Sequence, residues 1–201
     1  GYIHHNPVDR VSRVFAAPIV KPMPSVHWRE LPRVMEIVMS APKRTQLLFA
    51  WACLSLLRPI ETVKVRWDWF DADVLTIPST EMKKAREHRL PLLPIMLDVL
   101  QAAKAESPHP KSPFIWAGRV SGKHMSEQTL AKFFRGTELK GRLVAHGIRS
   151  IGRSWMADHD APFEVAEACL SHVSGSSVSR AYQRSDYLTQ RRTLMAYWCS
   201  Y

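Results

Sequence analysis

The sequence lacks any uninterrupted run of about 18 apolar residues, the length that a membrane-spanning helix needs. Its first residues, Gly1 to His5, also lack the basic and apolar regions of a secretory signal peptide. These absences argue against a membrane protein. Because the chain begins with Gly rather than Met, we expect it to be a piece excised from a longer protein.

Cysteine is scarce. Cys53, Cys169 and Cys199 are isolated, odd in number and form no C-x-x-C pair. This spacing favours neither a disulfide framework nor a zinc knuckle. We therefore expect the protein to work in a reducing cytoplasm.

Acidic residues are outnumbered, with 18 Asp and Glu against 28 Lys and Arg and a formal net charge of +10. Such an excess favours an anionic partner such as nucleic acid, although a basic surface that serves only solubility is the simpler interpretation. A length of 201 residues suits one domain, or one domain plus a fragment of another.

The stretch from residue 146 to residue 182 holds the densest set of chemically active side chains. It contains His146 and Arg149 in the sequence HGIR, then His172 in LSH, and finally Tyr182. Arg offers a bidentate fork to a phosphate, His donates or relays a proton, and Tyr can attack phosphorus to form a covalent ester. The combination predicts a phosphate site with its own nucleophile.

Apolar spacing predicts a mainly helical chain with one small sheet. The expected helices are Trp28 to Ser40 with Ser25 as cap, Arg44 to Leu57, Ile95 to Ala105, Glu127 to Glu138 with Ser126 as cap, His146 to about Asp158, Asp160 to His172, and Asp186 to the end. The second of these contains the run Leu47 to Leu54, which is apolar all round and marks a buried central helix. Three short antiparallel strands are expected at Trp67 to Phe70, Val74 to Pro78 and Arg89 to Leu92.

Arg58 follows the buried helix directly, and a guanidinium there needs a carboxylate or a bound anion. Pro59 is suited to start a new helix, and Glu61 lies three residues beyond Arg58. Considered alone, an internal Arg58 to Glu61 ion pair is the favoured interpretation.

The basic segment between the last two strands contains Lys83, Lys84 and Arg86. A hairpin tip of this kind is usually a solvated turn. It could equally reach into a DNA groove or deliver a proton far from the core.

Taken in order, these segments resemble the signature boxes of the tyrosine recombinases. The resemblance rests on Arg58 in LRPIE, Lys83 in a β-hairpin, the HGIR and LSH sequences, and Tyr182 ten residues after His172. It covers residues 25 to 201 and is greatest to the phage-type integrases of prophages and genomic islands. It implies an α+β, mainly α, helical catalytic domain with a three-stranded antiparallel sheet, and assigns residues 1 to 24 to a linker and the end of a preceding core-binding domain.

The same resemblance implies a role for each residue. Arg58 and Arg149 would clamp the scissile phosphate, with hydrogen bonds added by His172 and His146. Lys83 would be the general acid for the departing 5′ hydroxyl, and Tyr182 would attack to leave a 3′ phosphotyrosyl ester. Glu61 would orient its neighbours.

Four further basic residues are expected to contact DNA: Lys84, Arg86, Lys140 and Arg142. The resemblance implies double-stranded DNA attachment sites as partner, a homotetramer on DNA from a chain that is monomeric when free, and an accessory directionality factor. It implies neither a membrane nor a metal, nucleotide or other cofactor. The expected location is the bacterial cytoplasm, at the nucleoid, with a bacterial or phage gene as source.

Several alternatives remain open at this point. Lys84 competes with Lys83 for the general acid role, and Tyr187, Tyr197 and Tyr201 are other phenols that we expect to be packing residues. Ser171 stands where the family often has glycine. A related DNA-relaxing topoisomerase and a DNA-binding module without catalysis are the competing functions, and the last helix could pack on its own domain or on a neighbour's.

Overall fold

A computed structural model describes residues 22–172 and 185–201 of the chain. The predicted linker and core-binding remnant at residues 1 to 24 lies almost wholly outside this range and stays a prediction. The helices are α1 (Leu31–Val38), α2 (Lys43–Ser55), α3 (Pro59–Lys64), α4 (Pro94–Ala105), α5 (Thr129–Arg135), α6 (Gly147–Asp158), α7 (Phe163–Cys169) and α8 (Leu188–Ser200). The strands are β1 (Phe70–Asp71), β2 (Val74–Ile77) and β3 (His88–Pro91). None of the described helices has the length and apolar character needed to cross a membrane.

Helix α2 is the central element of the core, as its apolar run from Leu47 to Leu54 predicted. Leu48 and Trp51 are almost wholly buried on it. The helix contacts α1, α3, α4, α5, α6 and α8. It ends at Leu56, whose φ of 53° is left-handed and turns the chain towards Arg58. The end of this buried helix therefore determines where the first arginine lies.

The sheet confirms the predicted antiparallel order β1-β2-β3. Leu75 pairs with Leu90 in register, and both side chains are fully buried against the core. The first strand is shorter than predicted because Trp67–Trp69 forms a 3-10 helix, so that only Phe70–Asp71 pairs with β2. The sheet thus supports one long connection between β2 and β3, which carries the basic segment.

Ser25 does not cap the first helix, contrary to the prediction. A 3-10 helix at Trp28–Glu30 precedes α1, and its cap is His27, whose Nδ1 accepts from the Arg29 amide at 3.2 Å. The Ser25 hydroxyl instead donates to the Gly147 carbonyl at 2.9 Å. The segment before α1 therefore ties down the start of α6.

The helix predicted from Glu127 is also shorter than expected. Ser126 Oγ accepts from the Gln128 amide at 3.2 Å, which stabilises a turn, and α5 begins only at Thr129. The helix ends at Arg135 rather than at Glu138, and Gly136 forms its C-cap.

Helix α8 packs against its own domain in this structure, in contact with α2, α6, α7 and β3. Trp198 Nε1 donates to the Cys53 carbonyl at 2.8 Å, and Arg192 Nη1 donates to the Leu92 carbonyl at 3.0 Å. Arg191 is only 2% exposed. The cis arrangement is therefore the one observed.

Candidate active site

Arg58 stands at the N-cap of α3, where Pro59 occupies the first turn as predicted. Its Nη1 donates to Glu61 Oε1 at 2.8 Å, and its amide donates to Glu61 Oε2 at 3.0 Å. Since the Glu61 side chain is only 1% exposed, this is a buried ion pair. The expected pairing is confirmed, and it aligns the guanidinium.

The C-terminus of α7 ends in a turn whose Leu170 and Ser171 carbonyls accept hydrogen bonds from the arginines of the site. The His172 amide donates to the Glu167 carbonyl at 2.9 Å and the Ser171 amide donates to the Ala168 carbonyl at 3.1 Å, which is the hydrogen-bond pattern of a Schellman motif. Ser171 occupies its left-handed position with a φ of 51°. Glycine is the residue that this position favours, so the turn explains why the family often has glycine before the histidine.

Arg149 connects the C-terminal end of α2 to the C-terminal end of α7. One Nη donates to the Leu56 carbonyl after α2, and the other donates to the Leu170 carbonyl after α7 at 2.5 Å. The residue is only 3% exposed, and its Nε has no hydrogen-bond partner among the described residues. Burial, together with the charge of Arg58, lowers the pKa of Arg149 to about 10. No carboxylate touches this guanidinium in the described part of the chain.

His172 completes the cluster from the end of α7. Its Nε2 lies 3.0 Å from Arg149 Nη2, and its Nδ1 lies 2.9 Å from Glu167 Oε2. Arg58 Nη2 donates to the Ser171 carbonyl at 3.2 Å, which brings the first arginine to the same turn. Burial lowers the pKa of His172, an effect that the hydrogen bond to Glu167 opposes. Three chain segments therefore deliver two guanidiniums and an imidazole to one place.

His146 is the N-cap of α6 and lies one turn before Arg149, as the sequence predicted. A Cβ on Gly147 would clash with the Pro24 carbonyl oxygen, so the residue after His146 must be glycine for the chain to pass. Burial lowers the pKa of His146, and the charges of Arg149, Arg58, His172 and Lys83 add to that effect. Lys83 thus lies within electrostatic range of the cluster.

The basic segment of the β2 to β3 connection forms one wall of an open cavity of about 390 Å³. Lys84 and Arg86 line it on one side and His172 on the other. Lys83, Lys84 and Arg86 are all exposed. The structure places the two lysines side by side on a surface turn.

Three predicted residues remain: Tyr182, Lys140 and Arg142. Tyr182 lies outside the described residues, so its predicted role is untested. Arg142 is exposed and pairs with Glu30 at 2.5 Å, and Lys140 is exposed nearby in sequence. No contact among the described residues connects either side chain to the arginine cluster.

All three alternative phenols were expected to be packing residues, and two of them, Tyr197 and Tyr201, contact aromatic rings although each is more than half exposed. Tyr197 lies 4.9 Å from Trp155 between ring centroids, and Tyr201 lies 5.2 Å from Trp28. Tyr187 is the left-handed N-cap of α8 and lines the open cavity.

Sequence reasoning missed Glu167, which bonds His172, and Arg153, whose Nε donates to Glu167 Oε1 at 2.8 Å. It also missed His88, which is buried with its Nε2 3.4 Å from Arg191 Nη2. The spacing of Glu167 five residues before His172 carried a signal, because a Schellman turn brings those positions together. Nothing in the sequence indicated that Arg191 would be buried, because its helix looked amphipathic.

Comparison with known proteins gives a consistent result. A sequence profile described as the phage integrase family matches residues 26–188. The prophage integrase IntA of Escherichia coli K12 is 36% identical over 98% of this chain and 49% of its own length. The integrase of Shigella phage Sf6 is 27% identical over 72% of this chain and 38% of its own length. The chain thus spans about half the length, or less, of these curated relatives.

Two solved structures share the fold. A λ integrase (75–356) dimer bound to a COC′ core site superposes with a TM-score of 0.62, at 18% identity over 91% of this chain and 66% of that one. The XerH site-specific recombinase bound to a difH substrate gives 0.58, at 14% identity over 88% of this chain and 55% of that one.

Proposed function

This chain belongs to the phage integrase family of tyrosine recombinases, and on that premise we propose that it is the catalytic domain of a site-specific DNA recombinase. It would cut and rejoin DNA strands through a covalent 3′-phosphotyrosyl intermediate, and so integrate or excise a mobile element. The named relatives are prophage and phage integrases, which supports that assignment.

One observation carries the proposal. Arg149 is buried, its guanidinium contacts only carbonyls and an imidazole within the described residues, and Arg58 is held beside the same turn. A buried charge without a carboxylate is costly, and a bound anion would compensate it. A DNA phosphate, recruited by a chain of net charge +10, fits that requirement.

The clamp would act on the charge that gathers on the equatorial oxygens of phosphorus. Arg58 and Arg149 would donate to the two non-bridging oxygens, with His172 and His146 adding hydrogen bonds. Fixed donors of this kind need no reorganisation during the reaction, which makes electrostatic stabilisation large. The proposal requires no metal ion or nucleotide.

Tyr182 would supply the nucleophile. Its phenolic oxygen would bond to phosphorus as the bond to the 5′ oxygen breaks, and Lys83 would protonate that departing oxygen. A free phenol has a pKa of about 10, and nearby cations favour its ionised form. Attack by a DNA 5′ hydroxyl on the ester reverses the step and conserves bond energy, which strand exchange requires.

The proposed partner is double-stranded DNA carrying the attachment site. Lys84 and Arg86 line the cavity, and we propose that they contact backbone phosphates, with Lys140 and Arg142 as more distant contacts. The proposal includes a tetramer on two duplexes, with an accessory directionality factor, acting in the bacterial cytoplasm. The two DNA complexes that share the fold are consistent with a DNA partner.

The direct test uses a nicked duplex that carries the attachment site. The chain should form a denaturation-resistant adduct, and Tyr182→Phe should keep DNA binding but lose the adduct entirely. Tyr187→Phe is the matched control and should still form it. If the adduct persists in Tyr182→Phe, the nucleophile is a residue other than Tyr182.

A further inference from the structure

Four side chains form a continuous hydrogen-bonded row through the candidate site. Arg153 Nε contacts Glu167 Oε1 at 2.8 Å, Glu167 Oε2 contacts His172 Nδ1 at 2.9 Å, and His172 Nε2 contacts Arg149 Nη2 at 3.0 Å. Glu167 has both oxygens occupied and is held from α6 by Arg153. The row joins α6 to the end of α7 through one imidazole.

The hydrogen bonds of this row determine which ring nitrogen of His172 carries the hydrogen. An Arg side chain carries donors only, so His172 Nε2 must accept from Arg149. The hydrogen of a neutral ring then lies on Nδ1, where it donates to the carboxylate of Glu167. His172 is therefore an acceptor on the side that faces the arginines.

A bound phosphate would require His172 Nε2 to be a hydrogen-bond donor instead of an acceptor. Its oxygens are acceptors, so His172 Nε2 can bond to them only if it carries a hydrogen. Moving the Nδ1 hydrogen to Nε2 would leave a lone pair against the Glu167 carboxylate, which is unfavourable. A doubly protonated ring satisfies both sides, with Nδ1 donating to Glu167 and Nε2 to the phosphate.

Arg149 must also change its contacts. Its Nη2 uses both hydrogens, one on the Leu170 carbonyl and one on His172. Once the imidazole becomes a donor, that second hydrogen is released and can turn towards the phosphate. In the free protein, His172 and Arg149 therefore hydrogen-bond to each other, although both would bind the phosphate in the complex.

We infer that Glu167 is a positioning residue that holds His172 for conversion from a neutral acceptor into a doubly protonated phosphate donor, and that phosphate binding takes up a proton from solvent at Nε2. The inference rests on the proposed function, because it assumes that the anion enters between His172 and Arg149.

The charges around His172 support this switch. Among the described residues, the nearest are Glu167 on α7, Arg149 on α6, Arg58 before α3 and the imidazole of His146. Further charged or titratable side chains line the open cavity with His172: Lys84, Arg86, Glu87, His88, Arg89, Glu164, Asp186 and Arg191. Burial lowers the pKa of His172 and the two arginines add to that effect, whereas the Glu167 hydrogen bond opposes it. An anion between the ring and the arginines would offset their repulsion and favour the protonated ring.

The inference can be tested with nitrogen NMR of the imidazoles, using inorganic sulfate as the probe. Sulfate stays fully ionised near neutral pH, so any proton taken up belongs to the protein. Without sulfate, His172 should show a protonated Nδ1 and an unprotonated Nε2. With sulfate at pH 7.5, both nitrogens should become protonated, and calorimetry in buffers of different ionisation enthalpy should report uptake of about one proton.

Glu167→Gln isolates the role of the carboxylate. Glu138→Gln is the matched control, because the Glu138 carboxylate also pairs with an arginine, Arg33 at 2.6 Å, but does not line the cavity that holds His172. The introduced amide keeps the shape of the side chain but removes its negative charge. We expect Glu167→Gln to retain the fold and sulfate binding at low pH, but to lose proton uptake and most sulfate affinity at pH 7.5. Glu138→Gln should match the wild type throughout.

Two negative results have different meanings. Sulfate that perturbs Arg58 and Arg149 while His172 keeps its neutral Nδ1–H form would overturn this inference and leave the proposed function standing. Sulfate that leaves both arginines unperturbed would contradict the anion clamp itself, and the inference with it. Identical pH profiles for Glu167→Gln and Glu138→Gln would show that Glu167 does not act on His172.

Discussion

The two halves of the candidate site are held in opposite ways. Arg58 and Arg149 lie at the ends of buried helices, fixed by a buried carboxylate and by main-chain carbonyls. Lys83 and Lys84 lie on an exposed turn between β2 and β3, and no ion pair or hydrogen bond to either side chain is seen in residues 22–172 and 185–201. We call the first half the clamp and the second the hairpin.

The difference matches the work that each half would do. Charge stabilisation is strongest when donors are fixed before the reaction, which the clamp provides through helix ends and the Schellman turn at Ser171. A general acid must reach an oxygen that leaves, and an exposed lysine on a turn can adjust to it. Substitutions in the clamp should therefore alter both stability and chemistry, and those in the hairpin chemistry alone.

The largest effect should come from the hairpin. Lys83→Ala should slow cleavage of the nicked duplex by about 10²–10⁴-fold, because the departing oxygen loses its proton donor. The free energy of unfolding should change by less than about 0.5 kcal/mol, since the side chain is exposed. A substrate with sulfur as the leaving atom should restore cleavage, since a thiolate leaves without protonation.

Lys84→Ala is the control for that assignment. It should cleave nearly normally, and sulfur should give it no advantage over oxygen. If sulfur rescues Lys84→Ala but not Lys83→Ala, the acid is Lys84.

Within the clamp, Glu61→Ala should lower the free energy of unfolding by roughly 3 kcal/mol, because it leaves Arg58 partly buried and unpaired. Glu81→Ala is the matched control, since it removes a partner of Lys64 at 3.0 Å in an exposed pair and should cost under about 1 kcal/mol. Urea unfolding measures both. Equal losses would mean that burial of the Glu61 pair is irrelevant to stability.

Gly152→Ala tests the packing behind the clamp. A Cβ there would approach Leu56 Cδ2 to 2.6 Å, and Leu56 is the residue whose carbonyl receives Arg149. We expect a loss of about 2 kcal/mol from overpacking, with weaker anion binding. Gly136→Ala, where the nearest atom is 3.4 Å away, should be close to neutral. If Gly152→Ala folds well and binds anions with normal affinity, Leu56 does not contribute to the clamp.

The smallest effect concerns His88, which starts β3 beneath the hairpin and faces Arg191. Burial, then the charge of Arg191, lowers the pKa of His88 well below its ordinary value. The unfolded chain therefore binds the proton first as pH falls, and stability present above the unfolded pKa is lost below it. Unfolding at pH 7.5 and 5.5 should show a loss of roughly 1 kcal/mol from this residue. His88→Asn should flatten that dependence, and an unchanged slope would refute the assignment.

The sequence predicted the parts of the molecule that local chemistry decides. Four predictions were confirmed: the buried helix α2 with its apolar run, the restart at Pro59, the Arg58 to Glu61 pair, and the one-turn spacing of His146 and Arg149. Each depends on residues close in the chain.

The errors and omissions depend on distant contacts. Ser25 looked like a cap but bonds to Gly147, 122 residues away. Arg149 was expected to hold a phosphate, but nothing in its neighbourhood showed that Leu56, 93 residues earlier, would anchor it. Tertiary hydrogen bonds of this kind leave no periodic pattern.

The central claim is that Arg58 and Arg149 act as one clamp on one phosphate. The most direct measurement is a double-mutant cycle with Arg58→Lys and Arg149→Lys, following the single-turnover rate of adduct formation on the nicked duplex. Each single variant should slow the reaction by about 10²–10³-fold. The double variant should be little slower than the worse single, because residues that act as a unit are not additive. A rate reduced by the product of the two single effects would show that the arginines act independently and would contradict the clamp.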